Sequence, residues 1–158
     1  MHVATVHIGT TTYVISVWSQ TTDVNCVAHA YGAPVIAYLT AHPCHGMTRL
    51  LATTAVNGKP VGFNQSSISF EGDAPAVYQD AGDFRTLVLQ DGTGSLNDLL
   101  REGHRLPSGP TAVPSPDAFE ALSQDAGVTI YDMWYLSGPT PNNDPALIKM
   151  AQDIYLQY

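Results

Sequence analysis

Cys26, His29, His42, Cys44 and His45 carry the side chains of this chain best suited to hold a metal ion or form a covalent bridge. Taken as Cys26-x2-His29 with His42-x-Cys44-His45, they offer the thiolate and imidazole donors that zinc prefers. A straight helix from Cys26 to Cys44 would hold them about 27 Å apart at 1.5 Å per residue, too far for a shared ion or a disulfide. Only a sharp reversal at Gly32-Ala33-Pro34 brings the two ends together. On the residues alone, a zinc site, a Cys26–Cys44 disulfide and two separate buried thiols all stay open.

Six histidines also raise the question of proton transfer, because imidazole titrates near neutrality without perturbation. His29 is the best placed, one position off the apolar stripe of its segment and two before Tyr31, where a pocket beside a sheet would set it against Asp23 or Asp132. Arg49 and Arg85 stand among apolar neighbours, suited to a carboxylate ligand or, more simply, to the chain's own acids. Trp18, Tyr31, Tyr131, Trp134 and Tyr135 supply aromatic walls for a ligand pocket, although an ordinary core uses the same residues.

Asp91-Gly92-Thr93-Gly94-Ser95 resembles on paper the Asp-Gly-Thr of phosphate-transfer loops and the Asp-Thr-Gly of aspartic proteases. Context opposes both. Leu89 occupies the position where a phosphotransferase carries a second acid, and the glycine order is wrong for a protease. Glycines at a helix exit, followed by the cap of a short helix, account for the segment.

Local patterns define the elements that must position these groups. Alternation from Val3 to Ile8 and the β-branched run Tyr13 to Trp18 predict a leading strand pair or one bent strand. Val27, Tyr31, Val35 and Leu39 recur every four residues, a helical stripe capped by Thr21-Thr22-Asp23 and interrupted near Pro34. Asn57-Gly58 between Met47–Val56 and Val61–Phe70 predicts a hairpin. Val77, Ala81, Phe84 and Val88 give the next helix its apolar face. Short helices are expected from Leu96 to Glu102, capped by Ser95 and Asp98, and from Ser115 to Leu122; the proline-rich stretch Leu106 to Pro116 reads as an exposed crossing loop. Val128 to Tyr135 reads as a strand, and Asp144-Pro145 starts a final helix.

This order fits a single α+β domain with a ferredoxin-like split βαβ sheet, helices on one face, an extra leading strand and a C-terminal helix. The other face then needs cover, from a homodimer packed through the sheet or from the proline-rich loop.

The 158 residues suit one domain, and a charged fraction of 13% excludes charge-driven disorder. A formal net charge of -8 argues against nucleic acid as a partner. No apolar run reaches the roughly 18 residues of a membrane span, and no signal peptide is visible, so the expectation is either a cytoplasmic protein or a trimmed ectodomain.

Cys26-Val-Ala-His-Ala-Tyr31-Gly32, Ala41-His42-Pro43-Cys44-His-Gly-Met-Thr-Arg49-Leu50-Leu51 and Asp91-Gly92-Thr93-Gly94-Ser95-Leu96-Asn97-Asp98-Leu99 resemble segments of a group of uncharacterised actinobacterial proteins. Those proteins are exported or anchored by one N-terminal membrane helix, which this sequence lacks. The resemblance spans about Trp18 to Leu136. It implies a domain of this size outside the cytoplasm, which favours the Cys26–Cys44 disulfide, and it implies no reaction. The expectation is a non-enzymatic binding or interaction domain, for a protein or a neutral small molecule. The alternative is a small cofactor-free enzyme, with His29 moving protons over a hydrophobic ligand held among the aromatic residues.

Overall fold

A computed structural model of the protein describes residues 1–157. In chain order the elements are β1 (His2–Ile8), β2 (Thr11–Asp23), a 3-10 turn (Cys26–His29), β3 (Ala30–Tyr31), α1 (Ala33–Ala41), β4 (Cys44–Val56), β5 (Lys59–Phe70), α2 (Ala76–Val88), β6 (Ser95–Leu96), β7 (Ala118–Gln124), β8 (Gly127–Tyr135) and α3 (Pro145–Tyr155). Six strands form one sheet in the order β1-β2-β4-β5-β8-β7, while β3 and β6 pair separately. Every neighbouring pair in the large sheet is antiparallel.

Local chemistry explains much of this. Asn57 (φ 51°) and Gly58 (φ 75°) both take the left-handed conformation that a two-residue hairpin turn demands, setting Val56 opposite Lys59. Val77, Ala81, Phe84 and Val88 are the buried residues of α2, as their spacing predicts. Asp144 caps α3 by accepting from the Leu147 amide at 3.3 Å, with Pro145 in the first turn.

The α+β class is as expected, but the strand order is not ferredoxin-like. A split βαβ unit would insert another strand between those flanking α1, whereas β4 pairs directly with β2. Nor do the helices share a face. The apolar side of α3, with Leu147, Met150 and Ile154, packs with Tyr13, Ile15, Phe63 and Met133. Residues of α1 and α2 pack with Met47, Ile68, Phe70 and Ile130 from the alternate strand positions. The face that seemed to need a second copy or the proline-rich loop is thus covered by α3.

Two expected short helices are also absent. Residues 118–124 form β7, because pairing along β8 from Ala118↔Met133 to Gln124↔Gly127 satisfies the backbone. Ser95 pairs with Tyr31 in the small sheet rather than capping a helix. Asp98 instead accepts from the Arg101 amide at 2.8 Å, closing a single turn. The glycines of the preceding loop are structural: Gly94 has φ 107°, and a Cβ there would run into the Tyr31 carbonyl oxygen. Thr93 Oγ1 donates to the carbonyls of Leu87 and Gln90, at 2.6 and 3.0 Å, closing the end of α2.

The first helical stripe breaks where Gly32-Ala33-Pro34 predicted. Gly32 turns the chain with φ 86°, and α1 begins at Ala33 with Pro34 in its first turn. Thr21 to Asp23 lie at the end of β2, and the oxygen that caps the 3-10 turn comes from Asn25. This reversal brings Cys26 to Cys44, with Cα atoms 6.1 Å apart, and the two are joined in a disulfide. Both sulfurs are thereby withdrawn from metal ligation.

Opening the 18-residue separation of the disulfide should lower the unfolding free energy by roughly 3 kcal/mol, measured as urea denaturation of the oxidised protein against a Cys26→Ser/Cys44→Ser variant. Gly94→Val should be destabilising by at least about 2 kcal/mol in the same assay, since it combines a disfavoured φ with a backbone collision.

Candidate functional site

Between its two apolar patches, the sheet face under α1 and α2 carries a row of polar side chains. Arg49 on β4 stands opposite Ser66 on β5, and Asn64 on β5 stands opposite Asp132 on β8. Arg49 is 2% exposed, and Asn64 and Ser66 are buried. The segment after β6 closes over them. Arg49 Nη1 donates to the Asn97 carbonyl at 3.0 Å, and Asn64 Oδ1 accepts from the Leu99 amide at 2.9 Å. Leu99, Leu100 and Leu106 then cover Leu51 and Trp134.

At the β4 end of the row, Arg49 Nη2 donates to Glu102 Oε1 at 2.8 Å. His29 reaches Glu102 Oε2 with Nδ1 and Asp23 Oδ2 with Nε2, both at 2.8 Å. A ring nitrogen facing a carboxylate at this distance must carry a proton, so His29 is an imidazolium. The 3.3 Å approach of Arg49 Nη2 to His29 Nδ1 is then two donors converging on Glu102. Burial acts to lower the His29 pKa, but the hydrogen bonds to Asp23 and Glu102 outweigh it and the value rises. Burial likewise acts to raise Glu102, and the bonds and charges of Arg49 and His29 bring it down to about 2. The Asn25 amide and then His29 hold Asp23 below its ordinary value. Each charge here has its opposite, and neither His29 nitrogen is free for a ligand.

At the β8 end lies a cleft of about 510 Å³ whose lining includes Tyr31, Asp91, Ser95, Asp117, Phe119 and Asp132. Asp132, on β8, and Asp117, one residue before β7, both line this cleft, close enough for each carboxyl group to shift the titration of the other. Burial pushes Asp117 up to about 6. Burial, then the charges of Asp117 and Asp98, drive Asp132 well above the ordinary carboxyl range. Among the described residues, no lysine or arginine forms an ion pair with either. Arg101 is the nearby cation, its guanidinium 3.9 Å from the centre of the Tyr31 ring. Ser95 is buried and its Oγ has no hydrogen-bond partner. The rim is pinned by Asn143, whose amide donates to the Asp117 carbonyl and whose Oδ1 accepts from the Phe119 amide, both at 3.1 Å.

Of the residues singled out by sequence, His29 and Arg49 meet in the charged network, with Asp23 as partner. Tyr31 reaches the cleft. The other aromatics stand apart, because successive side chains on a strand face opposite ways. Tyr131 packs in the core under α3, while Trp134 lies over Gly62 on the other face, where a Cβ would strike its indole. Tyr135 donates to Asp144 at 2.7 Å, and Trp18, half exposed, donates to Thr53 at 2.9 Å. Arg85 donates to the Ala121 carbonyl rather than to an acid. Sequence reasoning missed the Asp117–Asp132 pair, although an acid inside the apolar run Val128 to Tyr135 was a signal for it. His42 and His45 lie beside Asp80 and Glu71, away from His29. Among the described residues no group of three or more His, Cys, Asp or Glu is arranged to hold a metal ion.

The chain matches no protein-family model, no curated protein and no solved structure.

Glu102→Gln should be destabilising by about 2 kcal/mol at neutral pH, because it strips the buried Arg49 of its counter-charge. The His29 contribution is full below its ordinary value of 6.5 and is lost as pH rises through its higher folded value. The Glu102 contribution is full above 4.5 and is lost as pH falls toward about 2. The stability gap between wild type and His29→Gln should therefore be widest near pH 5–6 and narrow on the alkaline side, as read by urea denaturation across pH.

Proposed function

We propose that this chain is a non-enzymatic binding domain working outside the cytoplasm, and that it takes a small polar ligand in the cleft at Asp117 and Asp132. The observation that carries this reading is a pair of carboxyl groups, neither with an ion-pair partner among the described residues, lining an open cleft. Such a pair is costly to the fold, and strongly perturbed acids in a cleft mark sites kept for a ligand. The Cys26–Cys44 bridge and the resemblance to exported actinobacterial proteins support the location. No helix of the described residues is long and apolar enough to cross a membrane.

The enzymatic alternative, with His29 as proton carrier among aromatic walls, has less support. Both ring nitrogens of His29 are engaged by carboxylates, and Tyr131 and Trp134 fill solid core on opposite faces.

Asp132→Asn separates the role from the fold. A carboxyl whose pKa is raised on folding weighs against the native state once pH exceeds the unfolded value of 3.8, so the wild type loses stability as pH rises. Asp132→Asn should raise Tm at pH 7–8 by about 3 °C or more and lose this advantage below about pH 4, while ligand-induced thermal shifts disappear. A variant that is less stable at neutral pH would assign Asp132 to the scaffold and remove the basis of the reading.

A further inference from the structure

Resting on that reading, we infer that the ligand is a small organic cation, a primary ammonium or guanidinium compound, which binds in the cleft lined by Asp91, Asp117 and Asp132. The low overall content of charged residues suggested a neutral ligand. The distribution of charge favours a cation instead. Asp91 from the loop after α2, Asp117 before β7 and Asp132 on β8 line the cleft. Asp98 adds its field from the turn after β6, and the charge of Arg101 opposes it at Asp132 and Tyr31. An anion is repelled by this set, and a neutral polyol leaves the acids uncompensated.

The hydrogen-bonding groups agree with the charge. Ionised carboxylates only accept, and the hydroxyl of Ser95, buried beside them, has no partner. An ammonium brings three N–H donors and a guanidinium five, enough to engage more than one of the acceptors that line the cleft. A volume of about 510 Å³ admits a molecule of metabolite size. The described residues offer no ready-made metal donor set here, which favours an organic cation over a metal ion.

Binding then has a proton balance. A cation favours the ionised carboxylates, whose pKa values burial raises, so protons carried by the empty site leave for solvent as the N–H groups bind. Affinity must rise with pH, by up to about tenfold per unit for each proton released.

The test is calorimetric titration of the intact chain with agmatine, butylamine and methylguanidine, against butanol, glucose and calcium chloride. Running it in two buffers of different ionisation enthalpy counts the protons released. The expected result is saturable binding of at least one organic cation, with proton release, tightening between pH 5 and 8. Asp117→Asn and Asp132→Asn should each weaken it tenfold or more while Glu102→Gln does not; should either aspartate variant fail to fold, proton release by the wild type decides alone. Binding of glucose or calcium with no response to the organic cations overturns the cation assignment and leaves the binding domain standing. Silence toward every probe at millimolar concentration overturns both.

Discussion

A guanidinium in the interior of a sheet must find its hydrogen-bond acceptors within the protein, since an unpaired buried charge is destabilising by several kcal/mol. Arg49 finds them on a segment that has almost no regular structure of its own. Its bonds to the Asn97 carbonyl and the Glu102 carboxylate, with the Asn64 bond to the Leu99 amide, lay residues 97–102 across β4 and β5. Three leucines of that stretch and its continuation, Leu99, Leu100 and Leu106, then close the second apolar cluster over Leu51 and Trp134. Without the polar row, this cover keeps the β6 pairing, the Asn97 amide bond to the His29 carbonyl and its leucine contacts.

The same segment ties the two ends of the row together. Through Glu102 it reaches His29, and through His29 it reaches Asp23 and the 3-10 turn that carries Cys26. Through Ser95 and Leu96 it pairs with Tyr31 and Ala30 in the small sheet, at a distance so short that Gly32 and Gly94 have no room for side chains. The disulfide holds the other side of this arrangement, joining the 3-10 turn to the start of β4. The wall of the cleft formed by Tyr31 and Ser95 is therefore built on a braced structure, as preorganised recognition requires.

The two charged groups differ in how their charges are balanced. Around His29, two carboxylates meet an imidazolium and a guanidinium, and each carboxylate accepts from a cationic donor. At Asp132, like groups share a buried setting, and the field of Arg101 opposes them only in part. Charge matched by charge is what folding stability selects; charge left unmatched beside a cleft is tolerated where something else completes it.

Much of the local architecture was legible in the sequence because its causes act over a few residues. Asn57-Gly58 dictates a tight turn by its backbone preferences, the four-residue stripe of α2 by helical geometry, Asp144-Pro145 by capping, and Gly32-Ala33-Pro34 by forbidding a continuous helix. That last break made the Cys26–Cys44 contact possible, though spacing alone left the fate of the two sulfurs open. The tertiary structure alone decided which strands are neighbours, that α3 covers the face opposite α1 and α2, and that residues 118–124 pair with β8 instead of coiling. It alone brought Asp117 to Asp132 across 15 positions of chain and Glu102 to His29 across 73. Periodicity and turn chemistry report which side of an element is apolar; they carry no term for the partner strand or helix that side will meet, and the chemistry of both charged groups arises only at that meeting.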